Sequence, residues 1–395
     1  KLQDTAADCE DRCDQIEREM QDPKAAERFA LKQSQAFVDQ MEGFALELED
    51  ELMNFSDVSY KSFVKSESEI ITLFYDKFAD IPLLSRMDAV AETFIDEIET
   101  LLNRDLPEEE RIPLIEKFRK MYETMDFYVL YNRFLKKEGY QTLPRRPLEK
   151  RKLRYEDVYP VLYLKYRLSR QAERSNIKHL VIDEMQDYSR LQYLIIRRMF
   201  SCKMSILGDR AQTMADQQQD VLQFLPGIFG KDLRRIEMRK SYRNTVEIAS
   251  YAANLIGVTD LELFERHGMP VLERDVTDLE AALREAVDTL FPDEKTYETA
   301  AVIVPDEKTA ERAYLILREI LAEKDFDCEK RLSWLNRDSS SFKKGLTVTT
   351  FYLAKGLEFD QVFSIFPKDE KREMMMQAQY IAATRALHEL RVYHI

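Results

Sequence analysis

The apolar and polar positions change texture near residue 140. Before that point apolar residues recur at helical spacing with few breakers. Pro23 suits a first helical turn, and from Ala25 to Leu52 the apolar positions Phe29, Leu31, Phe37, Met41, Phe44, Leu46 and Leu48 predict one long helix. A helix of that length points to a coiled-coil-like or projecting arm. Further helices are predicted over 67–78, 84–102 and 113–137, with Pro82 and Pro107 between them. The segment has no repeat, no low-complexity tract and no catalytic signal.

GYQTLPRRP at 139–147 reads as a linker. After a helix over 155–172, short β-branched or apolar runs appear: LVI at 180–182, MSIL at 204–207, AAVIV at 300–304, LTVTTF at 346–351 and VFSIF at 362–366. Alternating with helices such as 307–321, these runs predict parallel, doubly wound sheets. They fall into two clusters. The expected organisation is therefore an α-helical segment over 1–145 and two α/β lobes, over 146–232 and 233–395.

Charge sharpens that division. The net charge of −14 is concentrated in residues 1–100, which hold 10 Lys and Arg against 25 Asp and Glu. Residues 101–150 balance to +2 and the remainder to −1. An acidic segment is repelled by a phosphate backbone and attracted to basic surfaces, although a run of acids also makes an ordinary solvated face. Four cysteines make no disulfide framework and point to the cytoplasm. Cys9 and Cys13 are expected on one helix face as two surface thiols, without the ligands for zinc. The spacing of His179, His267, His388 and His394 suits no metal, so all four are read as structural. No apolar run is long enough to span a membrane. The chain begins with Lys1, not Met, and shows no basic-then-apolar signal pattern, so it is read as a fragment or a processed product, with a fragment the favoured reading.

The chemistry lies where the strands end. LVI leads into Asp183 and Glu184; the first can hold Mg²⁺ and the second can orient and deprotonate a water attacking a phosphate. MSIL leads into Gly208-Asp209-Arg210-Ala211-Gln212, where a glycine permits a tight turn and Gln212 can reach a phosphate oxygen or the water. In KSYRNT, Tyr242 can stack on a base and Arg243 can stabilise growing phosphoryl charge. LTVTTFYLAKGLEFD supplies a turn at Lys355-Gly356 and then Glu358, and QYIAATRALHEL sets Arg385 among small residues on a predicted helix. Taken singly, each is a solvated loop or a surface ion pair. Five in order form a specific pattern.

DEMQD, GDRAQ, SYRNT, YLAKGLEFD and AATRALHEL resemble motifs II to VI of superfamily 1 helicases of the UvrD/Rep type, over residues 150–395. Within that superfamily the chain is most similar to the HelD group of helicase IV-like, RNA polymerase-recycling ATPases. LRYEDVYPVLYLKYRL resembles the HelD lead-in to motif II, and Tyr352 stands where DNA-translocating relatives carry a histidine. In that group a helical insertion interrupts the first lobe just before the lead-in. Residues 1–145 occupy that place, and IITLFYDKFADIPLLSRMDAVAE resembles the insertion. The resemblance implies a P-loop NTPase fold with RecA-like parallel sheets, one lobe incomplete and one complete, and ATP with Mg²⁺ as cofactors. Asp183 would bind Mg²⁺, Glu184 would be the base, Gln186 would couple nucleotide state to conformation, and Gln212 would sense the γ-phosphate. Tyr242 would stack on adenine and Glu358 would contact the sugar, with Gly208, Asp209 and Gly356 also among the cofactor-binding residues. Arg243 and Arg385 would be arginine fingers.

The phosphate loop G-x-x-x-x-G-K-[ST] is absent: only Gly43 and Gly139 precede Asp183, and neither is followed by Gly-Lys. Without that cradle the residues are expected to bind ATP weakly and hydrolyse it negligibly. The leading functional expectation is part of a HelD-like ATPase whose acidic helices engage RNA polymerase, with only weak binding of nucleic acid by this fragment. A UvrD/Rep-like 3′–5′ DNA helicase is the alternative. Roughly a hundred residues separate Arg243 from Phe351, too few for the large second-lobe insertion of those helicases. A non-catalytic interaction module is the third reading.

Overall fold

The structure, a computed structural model, describes residues 2–170, 176–209, 212, 221–238, 240–258, 262–291, 297–324, 326–339, 344–368 and 373–395. It divides into two compact units: Lys1–Asp183 with Tyr188–Leu207 and Val221–Asp232, and Glu184–Asp187 with Gly208–Asp220 and Leu233–Ile395.

The first unit begins with β1 (Asp8–Cys9), α1 (Arg12–Gln21), α2 (Pro23–Gln33) and α3 (Gln35–Glu51). The long helix predicted from Ala25 to Leu52 is thus two helices. Ser34 takes an extended backbone and its hydroxyl accepts the Phe37 N–H at 3.2 Å, capping α3 and ending α2. A hairpin follows, β2 (Val58–Tyr60) against β3 (Phe63–Lys65), then α4 (Glu67–Thr72), which runs into a π-turn over Leu73–Lys77. The helices α5 (Arg86–Leu102), α6 (Glu108–Arg119) and α7 (Phe127–Lys137) come next; residues 120–126 divide the stretch predicted as helix over 113–137. Cys9 lies in β1 and Cys13 in α1, so the two thiols do not share a helix face.

The strand β4 (Lys152–Leu153) pairs with β1 and leads into α8 (Tyr155–Leu168). After α8 come β5 (His179–Ile182), α9 (Arg190–Met199), β6 (Lys203–Ile206) and α10 (Val221–Phe229), with β5 and β6 parallel and His179 level with Lys203. The helix α8 packs against α1, α2, α3, α7 and α9. One apolar core runs from Leu2 to Ile195, crossing the boundary expected at 145 without interruption.

A polar cluster sits inside that core. Lys32 Nζ lies 3.0 Å from Glu156 and 2.7 Å from Asp157, and the Tyr131 hydroxyl donates to the same Asp157 oxygen at 2.8 Å. All four side chains are buried. Burial pushes the Asp157 carboxyl above its ordinary range despite the lysine. The cluster ties α2 and α7 to α8, the helix that leads into β5.

The second unit opens with β7 (Lys240–Ser241), α11 (Val246–Leu255) and β8 (Glu262–Leu263). The order then continues β9 (Leu272–Asp275), α12 (Leu279–Asp288), β10 (Thr299–Val304), α13 (Glu307–Ala322), α14 (Cys328–Arg331), β11 (Leu332–Trp334), β12 (Gly345–Thr350), β13 (Phe359–Phe366), α15 (Glu373–Thr384) and β14 (Ala386–His394). Six strands form a wholly parallel sheet in the order β11-β12-β10-β13-β14-β9. Side chains alternate across it: Ala300, Val302 and Val304 of β10 and Phe363 and Ile365 of β13 enter a core with α12 and α13. The opposite face is buried too, with α15 against β13 and β14 and α11 against α15. Burial on both faces explains the continuous apolar runs that made these strands legible.

Replacing Lys32 by Met leaves the buried Asp157 without its cation and Glu156 with Arg28 alone, whose Nε lies 3.4 Å from the carboxylate. Lys32→Met is expected to lower stability by about 3–5 kcal/mol at neutral pH, read as a shift of the urea midpoint. The Asp157 carboxyl is raised in the fold, so its protonation favours the folded state. The deficit should therefore shrink as pH falls into the carboxylate range and grow as pH rises through the raised value.

Candidate functional site

The carboxyl end of β5 supplies Asp183, the last residue of its block in the first unit, and the chain then enters the second unit at Glu184. Glu184 has a left-handed backbone, φ 51°, uncommon for a residue with a side chain. The turn Met185–Asp187 follows, in which Gln186 is buried. The Gln186 amide donates to the Glu184 carboxylate, and its carbonyl oxygen accepts the Asp209 N–H at 3.1 Å.

Gly208 is required here for close approach rather than for a turn. A Cβ on it would lie 2.4 Å from Gln186 Oε1 and 2.6 Å from the Met185 backbone nitrogen. Its absence lets Gly208 and Asp209 lie against the 184–187 turn. Gln212 is buried; its backbone N–H donates to the Asp209 carbonyl at 3.1 Å and its amide to the Asp209 carboxylate at 3.0 Å. Arg210 and Ala211 of this motif lie outside the described residues.

Arg385 carries the connection onward. It was predicted on a helix, but α15 ends at Thr384 and Arg385 occupies the turn before β14. The side chain is 1% exposed. Its guanidinium donates to the carbonyls of Ile381 and Leu357, each at 3.3 Å, to Gln212 Oε1 at 3.3 Å and to Thr384 Oγ1 at 3.2 Å. Burial and the neighbouring Arg243 cation push its pKa down, while Glu184 and Glu358 act in the opposite sense. Tyr380, one turn earlier, is pushed up by burial and by the Asp209 carboxylate.

Arg243, Gly356 and Glu358 join the same constellation, whereas Tyr242 packs apart from it and Asp183 belongs to the first unit. Arg243 Nε lies 2.6 Å from Glu358 Oε1, with both side chains partly exposed. Gly356 adopts φ 81°, so at this position the glycine serves the turn. Lys355, which sequence reasoning noted only as a turn residue, is nearly buried; it pairs with Asp187 and lies 3.6 Å from Glu184. Tyr242 is exposed and packs on Phe264 with ring centroids 5.6 Å apart, while Lys240 Nζ sits 5.6 Å from the Tyr242 ring. The pairing of Lys355 was readable only as a cation beside a glycine, a weak signal. Phe264 had none.

Within the second unit the structure thus brings together Glu184, Gln186, Gly208, Asp209, Gln212, Arg243, Gly356, Glu358 and Arg385. The set offers guanidinium and amide donors beside three carboxylates, which suits a polyanion and an attacking water. The four histidines are all engaged elsewhere: His179 with Ser205, His267 with Glu247, His394 with Glu273, and His388 stacked on Tyr297. Among the described residues no group of three or more acidic, histidine or cysteine side chains could hold a metal ion.

The family model for the UvrD/REP helicase N-terminal domain matches residues 10–217, more than half of the chain. The chain belongs to the UvrD/REP helicase family. The matched stretch takes in the helices before α8 as well as β5 and β6, reaching further toward the amino end than the motif resemblance over 150–395. No curated protein matches the chain. Among solved structures, the C-terminal domain of a possible DNA helicase from Lactobacillus plantarum WCFS1 is 23% identical, over 39% of this chain and 88% of that one, with a TM-score of 0.31. The PRRSV helicase is 14% identical over 68% of this chain and 45% of its own length, TM-score 0.32. An arterivirus nonstructural protein 10 helicase in complex with DNA is 15% identical over 68% and 51%, TM-score 0.30. The chain therefore spans about half the length of these last two, and scores this low do not establish a shared fold.

For this UvrD/REP family chain, Gly208→Ala drives a methyl into the 185–186 backbone and side chain. It should cost about 1–3 kcal/mol in urea denaturation. Gly43→Ala, in helix α3 with open space around it, should leave the midpoint unchanged or raise it by up to about 1 kcal/mol.

Proposed function

We propose that this chain is part of an ATP-driven superfamily 1 motor of the HelD type, which uses nucleotide hydrolysis to release RNA polymerase from nucleic acid. One observation carries the nucleotide half of this reading: the unbroken run of hydrogen bonds from Glu184 through Gln186, Asp209 and Gln212 to Arg385, flanked by the Arg243–Glu358 pair. A buried guanidinium beside a second cation is a site that an anion relieves.

The guanidinium and amide donors fit the outer phosphates of a nucleotide. Bound MgATP would supply the phosphoanhydride whose cleavage drives the motor. Asp183 would hold the Mg²⁺, and Glu184, aligned by Gln186 and Lys355, would orient and deprotonate the water. Gln212 would meet the outermost phosphate, and Arg243 and Arg385 would stabilise charge on it. Tyr242 would present a face to the base and Glu358 a carboxylate to the sugar. Residues 1–145 would serve as the partner-binding segment of the first lobe, 146–232 as the remainder of that lobe and 233–395 as the second.

The inner phosphates lack their cradle in this chain, since no G-x-x-x-x-G-K-[ST] sequence occurs in it. Isolated, the chain is expected to show no measurable ATP turnover. Mg²⁺-dependent hydrolysis at the rate of an ordinary helicase motor would overturn that argument.

Support for the polymerase partner is the concentration of acid in residues 1–100. Such a surface suits a basic channel that otherwise holds nucleic acid. Glu51, Glu67 and Asp96 are exposed on this segment. Reversing all three to Lys should weaken capture of core RNA polymerase by about tenfold or more in a pull-down titration at physiological salt. Unchanged capture, together with salt-sensitive retention of single-stranded DNA on filters, would favour a DNA helicase instead.

A further inference from the structure

Three segments of the second unit meet around the two arginines: 241–245, 264–268 and 384–388. Asn244 is 8% exposed, and its amide nitrogen donates to the Thr384 carbonyl at 3.2 Å and the Ala386 carbonyl at 2.7 Å. Those carbonyls stand on either side of Arg385. Asn244 itself follows Arg243. A single amide thus ties the residue after one arginine to the backbone that brackets the other.

Arg266 repeats the connection from a third segment. Its Nη2 donates to the Arg243 carbonyl at 2.6 Å and to the Leu387 carbonyl, while its own carbonyl accepts the Val246 N–H at 2.9 Å. Gly268 lets this segment through: a Cβ there would lie 2.6 Å from Thr245 Cγ2 and 3.2 Å from the His388 carbonyl oxygen. The segment is anchored to the first turn of α11, where the Glu247 carboxylate accepts the Gly268 N–H and meets His267 Nδ1, each at 2.9 Å. These contacts, His267 foremost, hold the Glu247 carboxyl down at about 2.

Two guanidinium groups repel one another, and Arg243 is close enough to Arg385 to disfavour its charge. Something other than their own interaction must hold them as neighbours. We propose that Asn244 is a positioning residue, whose amide, seconded by Arg266, fixes the Arg243 segment to the Arg385 turn so that the two guanidinium groups present one polyanion site. This rests on the reading of the pair as phosphate-binding. Asn244 touches no ligand in this scheme; it acts through the Thr384 and Ala386 carbonyls.

The test is calorimetric titration of the whole chain with inorganic tripolyphosphate at fixed ionic strength. Arg243→Gln defines the site and should weaken binding at least tenfold. Asn244→Ala removes the donor that the Thr384 and Ala386 carbonyls share, and should weaken binding by about tenfold. Arg266→Lys keeps one cationic donor and should bind within a few-fold of the parent chain. Asn244→Asp supplies a more discriminating readout. As a carboxylate it repels both carbonyls; protonated, it donates one hydrogen bond. Its affinity relative to the parent chain should therefore recover as pH falls from about 8 to about 5, toward the carboxyl range. If Arg243→Gln weakens binding and folded Asn244→Ala does not, Asn244 is merely structural and the inference is overturned while the phosphate reading stands. Should Asn244→Ala fail to fold, a pH-independent ratio for Asn244→Asp overturns it equally. If the parent chain does not bind tripolyphosphate, or Arg243→Gln binds as well, the phosphate reading fails and takes the inference with it.

Discussion

A guanidinium removed from water has to be surrounded by oxygen, and Arg385 is the constraint around which the second unit's polar residues are arranged. At 1% exposure it draws on the end of α15 through Ile381 and Thr384, on the loop after β12 through the Leu357 carbonyl, and on the 208–212 segment through Gln212. Together the four bonds hold three different stretches of chain. An unpaired buried charge is among the costliest defects a fold can carry, so these stretches cannot move independently of one another. The residue that chemistry would assign to a phosphate is therefore also the residue that holds the site together.

The sheet places this centre at an unexpected edge. In open α/β sheets ligands gather at the carboxyl ends of strands, which is where Asp183 stands, directly after β5. Glu358 and Arg385 instead sit immediately before β13 and β14, and the Phe359 N–H donates to the Arg385 carbonyl at 2.9 Å. The amino ends of these strands are thus tied to one another by backbone bonds at the site itself.

What could be read from the chain follows from how each element is buried. The strands β10, β12 and β13 are covered on both faces and appear as apolar runs. In β14, Glu389 and Arg391 pair with each other and interrupt the run, so ALHEL passed for the continuation of a helix. The break between α2 and α3 escaped notice because Ser34 stops one helix by capping the next, with no Pro or Gly to announce it. In the site, residues whose side chains carry recognisable chemistry were legible: Glu184, Gln212, Arg243, Glu358 and Arg385 all meet in one unit. Asn244 and Arg266 were not, because their partners are backbone carbonyls, which every residue possesses and no sequence displays.

The same arrangement bears on selectivity. The groups proposed to meet a nucleotide already answer one another: Glu358 faces Arg243, Gln212 faces Arg385, and Glu184 faces Gln186 and Lys355. A ligand must therefore replace existing interactions rather than fill open valences, and only the difference between the two sets appears as affinity. A monoanion reaching Arg243 gives up the 2.6 Å contact with Glu358 for another of the same kind and gains little. A polyphosphate can neutralise both guanidinium groups at once and remove the repulsion between them, a gain that grows with the ligand's charge. On the proposed reading, mutual pairing within the site keeps simple anions out while leaving it responsive to a nucleotide's outer phosphates.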